Sequence, residues 1–109
     1  MEPILILNAM RLSAQSQAII HQAVLQRFGD RAQVRLFGSR LDDAVKGGDI
    51  DLHIRLHDGV DNPLWEASLL SAQLQRKLDG RKVDVRVLDA SHPTLPVDLV
   101  ALSEGVLLT

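Results

Sequence analysis

The chain has 109 residues, no cysteine and a formal charge of −2 at pH 7. Such a length makes a single domain spanning 1–109, able to bury roughly 65% of its unfolded surface without covalent staples. The lack of cysteine excludes disulfides and thiolate metal sites and fits a reducing compartment, and the lack of a basic run argues against strong duplex nucleic-acid binding, which rests on neutralised phosphates.

The opening residues, MEPILILNAMRLS, carry an apolar patch at 4–7 with no leading basic region. They are expected to form a loose strand or a packed arm, not a signal peptide. No stretch reaches the roughly 20 apolar residues of a membrane-spanning helix. The chain is therefore read as cytoplasmic. Ser13 is a good N-cap, and Ile19, Ile20, Ala23, Val24 and Phe28 recur at helical spacing up to Gly29. That pattern predicts a helix over about 14–28, closed by the glycine.

Residues 33–37 read as a short strand. Gly38-Ser39 follows it directly, and Ser39-Arg40-Leu41-Asp42 has the form of a capped helical turn. In the next run Ile50, Leu52, Ile54 and Leu56 share one parity, while Asp49, Asp51, His53 and Arg55 share the other. Side chains alternate along a strand, so this run has one apolar and one polar face.

Asn62-Pro63 opens a second long helix with proline at its first position. Leu64, Ala67, Leu70, Leu74 and Leu78 form its stripe, with Trp65 and Leu69 beside it, and Trp65 is assigned to the core. Gly80 ends that helix. Residues 82–88 then alternate again: Val83, Val85 and Val87 on one side, Asp84 and Arg86 on the other. A tail helix over about 97–104 is expected to help the two long helices cover the apolar face of the sheet. Val106, Leu107 and Leu108 would add an edge strand or dock on a partner.

The chemistry concentrates in three aspartates. Asp49 and Asp51 project from one strand face near its start, where hard cations such as Mg²⁺ would find oxygen ligands and offset the repulsion. Taken alone, that spacing is more often a solvated strand edge. Asp84 changes the balance. Strand, helix and strand over 49–88 have the length of a crossover unit, whose strands run parallel, so Asp49, Asp51 and Asp84 would meet at one end of one sheet face. Because the chain doubles back between 37 and 49, Gly38-Ser39 would lie beside them as an anion cradle. The other polar residues have simpler readings. His53 and Arg55 continue the polar face, and Arg86 pairs with a carboxylate. His21, His57 and His92 are surface residues, and Asp58, Asp61 and Asp89 are turn residues.

The segment GSRLDDAVKGGDIDL, entered through LFGSR and followed by VDV, resembles the signature of the polymerase-β-like nucleotidyltransferase superfamily. It is most similar to the minimal nucleotidyltransferases, which often pair with a HEPN-domain protein in toxin–antitoxin systems. The resemblance covers nearly the whole chain. It implies an α/β (α+β) fold, a small mixed sheet with helices on its apolar face. It further implies that Gly38, Ser39 and Arg40 bind the nucleotide, that Asp49, Asp51 and Asp84 ligate Mg²⁺, and that Asp84 helps deprotonate the acceptor. The expected reaction moves a nucleoside monophosphate, AMP from ATP, onto a hydroxyl of a HEPN partner. With no tyrosine in the chain, a tyrosine acceptor must lie elsewhere; a homo-oligomer is compatible with this reading.

Three features depart from the family pattern. Gly48 stands where serine is usual, the spacer is about one residue shorter, and Leu41-Asp42-Asp43 adds negative charge beside the phosphate site, to be offset by Arg40 or Lys46. They bear on nucleotide affinity more than on fold. A second reading therefore stands beside the first: a catalytically weak or inactive module of the same fold, neutralising its partner by binding. A third, transfer to a small molecule, is disfavoured because no second domain builds a substrate pocket.

Overall fold

The computed structural model describes residues 12–38 and 50–108. In chain order these form α1 (Ala14–Phe28), a 3₁₀ turn at Gly29–Arg31, β1 (Ala32–Phe37), β2 (Ile50–Leu56), α2 (Pro63–Lys77), β3 (Val83–Leu88), α3 (Pro96–Glu104) and β4 (Val106–Leu108). The expected N-terminal arm at 4–7 and the turn beginning at Ser39 lie outside the described residues.

Local sequence sets the helix ends. Ser13 caps α1 through its side chain, which accepts from the Ser16 N–H at 3.0 Å, and Gly29 closes it at φ 69°. Asn62 caps α2 by accepting from the Trp65 N–H at 3.0 Å, with Pro63 in the first turn.

The sheet order is β3-β2-β1-β4. β1 runs antiparallel to β2, with Phe37 opposite Asp51 and Ala32 opposite Leu56. β2 runs parallel to β3, joined through α2 as the crossover reading requires. β4 pairs antiparallel with β1 and forms the edge strand foreseen for 106–108.

One face of the sheet is the core. Ile50, Leu52, Ile54 and Leu56 of β2 pack there with Val34, Leu36, Val83, Val87 and Leu108, beneath Ile20, Ala23, Val24 and Phe28 of α1 and Ala67, Leu70 and Leu74 of α2. The tail helix departs from expectation. α3 does not join the cover of the apolar face: its buried Asp98 bonds to His53 and Arg86, which stand on the opposite face. Helix α3 thus roofs part of the polar side.

Leu64 and Trp65 are a second correction. They are 77% and 58% exposed, not core. The stripe is continued by Ala67, Leu70 and Leu74, while in the first turn of α2 Glu66 faces Arg27 of α1 and Leu64 and Trp65 point away from the buried cluster of the described residues. Helical periodicity records which side a residue takes, not whether a partner surface reaches that far.

Candidate active site

The parallel pairing of β2 and β3 puts Asp51 directly opposite Asp84, both near the start of their strands. Register partners share a face, and neighbouring strands lie about 4.8 Å apart, so the two carboxylates leave the sheet side by side. Asp84 is exposed and Asp51 half-buried. The expected convergence holds for this pair; Asp49, the third member, lies outside the described residues.

Gly38 leaves β1 against the same spot. Its φ is +77°, a backbone region that L side chains rarely adopt, and a Cβ built on it would stand 2.6 Å from Asp51 Oδ2. A side chain at 38 would collide with the carboxylate. Gly38 therefore stands where the sequence places it, next to Asp51. Ser39 and Arg40, and the departures at Asp42, Asp43 and Gly48, fall outside the described residues.

Behind the pair, on the same face, lies a network that the sequence did not disclose. His53 is fully buried, and its Nε2 lies 2.8 Å from Asp98 Oδ1. Arg86 donates from Nε to Oδ1 at 2.9 Å and from Nη2 to Oδ2 at 2.8 Å, and the Leu95 N–H donates to Oδ2 at 2.7 Å. Burial opposes ionisation of Asp98, but the Arg86, Leu95 and His53 bonds together outweigh it and hold its carboxyl far below the usual range. Burial also dominates at His53 and lowers its pKa despite Asp98. That shift favours the neutral imidazole, whose Nε2–H can donate to the carboxylate, and among the described residues its buried Nδ1 has no hydrogen-bond partner.

His53 therefore belongs to a buried ion-pair layer, not to the open polar face. The salt-bridge reading of Arg86 holds, with Asp98 as the partner. Asp98 was not singled out because it lies 45 residues from His53 in sequence and reads locally as an acidic residue in a first helical turn. Asp89 corrects the simple turn reading. Its carboxylate is buried and accepts from the Val60 N–H at 2.7 Å, Ser91 Oγ at 2.8 Å and His92 Nδ1 at 2.8 Å.

Two adjacent carboxylates on one exposed sheet end form a hard-oxygen donor set that suits Mg²⁺ chemically. Among the described residues no group of three His, Cys, Asp or Glu side chains gathers as a metal site, so the set would need Asp49 or a nucleotide's phosphates to complete it.

The family model of the nucleotidyltransferase domain matches residues 18–104, and the chain belongs to that family. Its fold is shared with solved structures described as toxin–antitoxin complexes. One is the toxin–antitoxin MntA-HepT, with 20% identity over 89% of this chain and 72% of that one, at a TM-score of 0.60. Another is a toxin–antitoxin with AMP-PNP, with 22% identity over 85% and 72% and a TM-score of 0.62. A third is a tri-AMPylated Shewanella oneidensis HEPN toxin in complex with MNT antitoxin, with 22% identity over 87% and 70% and a TM-score of 0.59. No curated protein matches the chain by sequence. Among the described residues, no helix is long and apolar enough to cross a membrane.

Proposed function

We propose that the chain is a Mg²⁺-dependent nucleotidyltransferase that moves AMP from ATP onto a hydroxyl of a HEPN-domain protein, acting as the antitoxin of the pair. The observation that carries this is the Asp51–Asp84 register pair with Gly38 against it. The nucleotide and partner are supported by relatives of this fold, one bound to AMP-PNP and one complexed with an AMPylated HEPN toxin.

In this reading Asp49, Asp51 and Asp84 hold Mg²⁺, which when bound would neutralise charge on the phosphates and the attacking oxygen. Gly38, Ser39 and Arg40 seat the triphosphate. Asp84, the more exposed of the pair, takes the proton of the acceptor hydroxyl. That oxygen bonds to the α-phosphorus, the bond to the β-phosphate oxygen breaks, and pyrophosphate leaves. The chain mainly positions ligands, which is the larger part of catalysis in phosphoryl transfer.

A binding module acting without transfer is the second reading, favoured by one observation. Leu64 and Trp65 on α2, and separately Leu95, Val97, Leu99 and Val100 on and beside α3, are exposed, and exposed apolar side chains of this kind mark contact surfaces where they gather.

The test is labelled ATP with Mg²⁺ and a HEPN-domain protein of the kind seen in the solved complexes, run with wild type, Asp51→Asn and an Asp49→Asn, Asp51→Asn double variant. Transfer of label to the partner, lost in both variants, is expected. A complex that forms but carries no label would replace the enzyme reading with the binding module.

A further inference from the structure

Helix α3 is amphipathic the wrong way round. A surface helix ordinarily turns its charged residues to water and its apolar stripe inward. In α3 the acidic Asp98 is buried together with Ala101, while Val97, Leu99 and Val100 are exposed, as is Leu95 just before the helix. The remaining charge of α3 is Glu104, at its last residue. Leu95 and Leu99 stand four residues apart, and Val97 and Val100 three apart, so they gather in neighbouring rows of one helix. Leu99 is 61% and Val100 47% exposed.

This face borders the candidate active site. Asp98 accepts from Arg86, which follows Asp84 by two residues on β3, about 6.6 Å along the strand. Past the other end of α3, a Cβ built on Gly105 would stand 3.3 Å from Arg35 Cβ and 3.3 Å from the Leu36 carbonyl oxygen. Leu36 precedes Gly38 by two residues on β1. Helix α3 thus crosses the polar face from β3 to β1, one step behind Asp84 and Gly38. The other exposed apolar pair, Leu64 and Trp65, stands far from it. Helix α2 begins only after β2 has ended at Leu56, about 16 Å along the strand from Asp51.

The acceptor in the proposed reaction is a hydroxyl on a folded protein. Such a group reaches Asp84 only with the surface around it laid over whatever borders Asp84, and on the polar face that border is α3. A protein acceptor would cover the exposed leucines and valines; a small-molecule acceptor would leave them in water. We propose that the outer face of α3, formed by Leu95, Val97, Leu99 and Val100, is the docking surface for the acceptor protein. It fits an uncharged, apolar patch beside the target hydroxyl and seats that hydroxyl at Asp84. The inference rests on the nucleotidyltransferase reading and adds to it where the partner sits.

The experiment combines calorimetric titration with labelled-AMP transfer, using the HEPN-domain protein that wild type labels. Wild type is compared with a Leu99→Gln, Val100→Gln variant and a Leu64→Gln, Trp65→Gln variant, with circular dichroism to verify folding. Glutamine is polar and a good helix former, and it adds no charge near the phosphates. The α3 variant is expected to bind the partner about 30-fold or more weakly, because two amides would be buried in an apolar contact. Its KM for the partner should rise while kcat stays within about twofold. The α2 variant should stay within about twofold of wild type, and all three should bind Mg²⁺ and AMP-PNP alike. Unchanged partner affinity in the α3 variant, equal weakening in the α2 variant, or a lower kcat at unchanged KM overturns the docking role and leaves the functional reading intact. Loss of nucleotide binding in the α3 variant overturns it as well, since the face would then serve the nucleotide. A wild type that is dimeric alone by light scattering and monomeric as the α3 variant assigns the face to a second copy and also overturns the proposal. Failure of wild type to label a HEPN-domain protein overturns the functional reading itself and the inference with it.

Discussion

Asp51 on β2 and Asp84 on β3 are register partners across a parallel strand pair, so two like charges stand side by side at one end of the sheet. A fold selected only for stability would not favour that, because like charges directly across from each other are destabilising. Asp84→Asn should therefore leave the thermal midpoint unchanged or slightly raised. AMP transfer should fall about 100-fold or more with the loss of a base and ligand. Parallel thermal and transfer measurements check both, and a variant with lowered stability and intact transfer would assign Asp84 a structural role.

Gly38 gives a second handle on the same place. Alanine there meets two penalties: a backbone at φ +77° and a Cβ 2.6 Å from Asp51 Oδ2. The conformational part costs about 1–2 kcal/mol, and the close contact must push the Asp51 carboxylate aside. Gly38→Ala should lose that stability in urea unfolding and also lose metal-dependent nucleotide binding. Loss of stability alone would mean that Asp51 moves without consequence.

Asp98→Ala removes an acceptor from three donors at once: His53 Nε2, Arg86 and the Leu95 N–H. Breaking a buried pair costs about 3–5 kcal/mol; the lower end is expected here because Arg86 can turn toward water. Denaturant unfolding measures it, and a loss below about 1 kcal/mol would show that the network contributes little to the fold.

The parts of this fold that were legible in the sequence depend on local rules. Ser13 and Asn62-Pro63 announced the starts of α1 and α2, and alternation in 50–56 and 83–88 announced the strands. The crossover length made them parallel, which brought Asp51 to Asp84. Residues whose roles depend on distant partners were not legible. His53 shares the parity of Asp51 and Arg55, yet it is buried, with Asp98 of α3 and the Phe37 ring against it. The same limit applies along α2, where Leu64 and Leu70 fall on one stripe but only Leu70 meets the sheet. Leu64→Ser should change stability by within about 0.5 kcal/mol, while Leu70→Ala should cost about 2–5 kcal/mol. Equal effects at the two positions would contradict the observed end of the core.

Asp89 supplies the pH dependence. Burial alone would raise its carboxyl, but bonds from the Val60 N–H, Ser91 and His92, aided by the charge of His92, outweigh that and lower it from 3.8 to about 2. With the folded value below the unfolded one, the unfolded chain takes up the proton first as pH falls. The contribution of Asp89 to stability is thus complete above its unfolded value of 3.8 and is lost as pH falls from there through about 2. Asp98 is depressed as well and acts in the same direction, so wild type alone cannot isolate Asp89. The difference between wild type and Asp89→Asn can. Urea unfolding near neutral pH should show wild type the more stable, since asparagine replaces a charge-assisted acceptor with a weaker one. Across the window from 3.8 to about 2 that gap should shrink toward zero. A gap that stays constant through the window would mean that the carboxylate is not held in its charged form by the Val60, Ser91 and His92 donors.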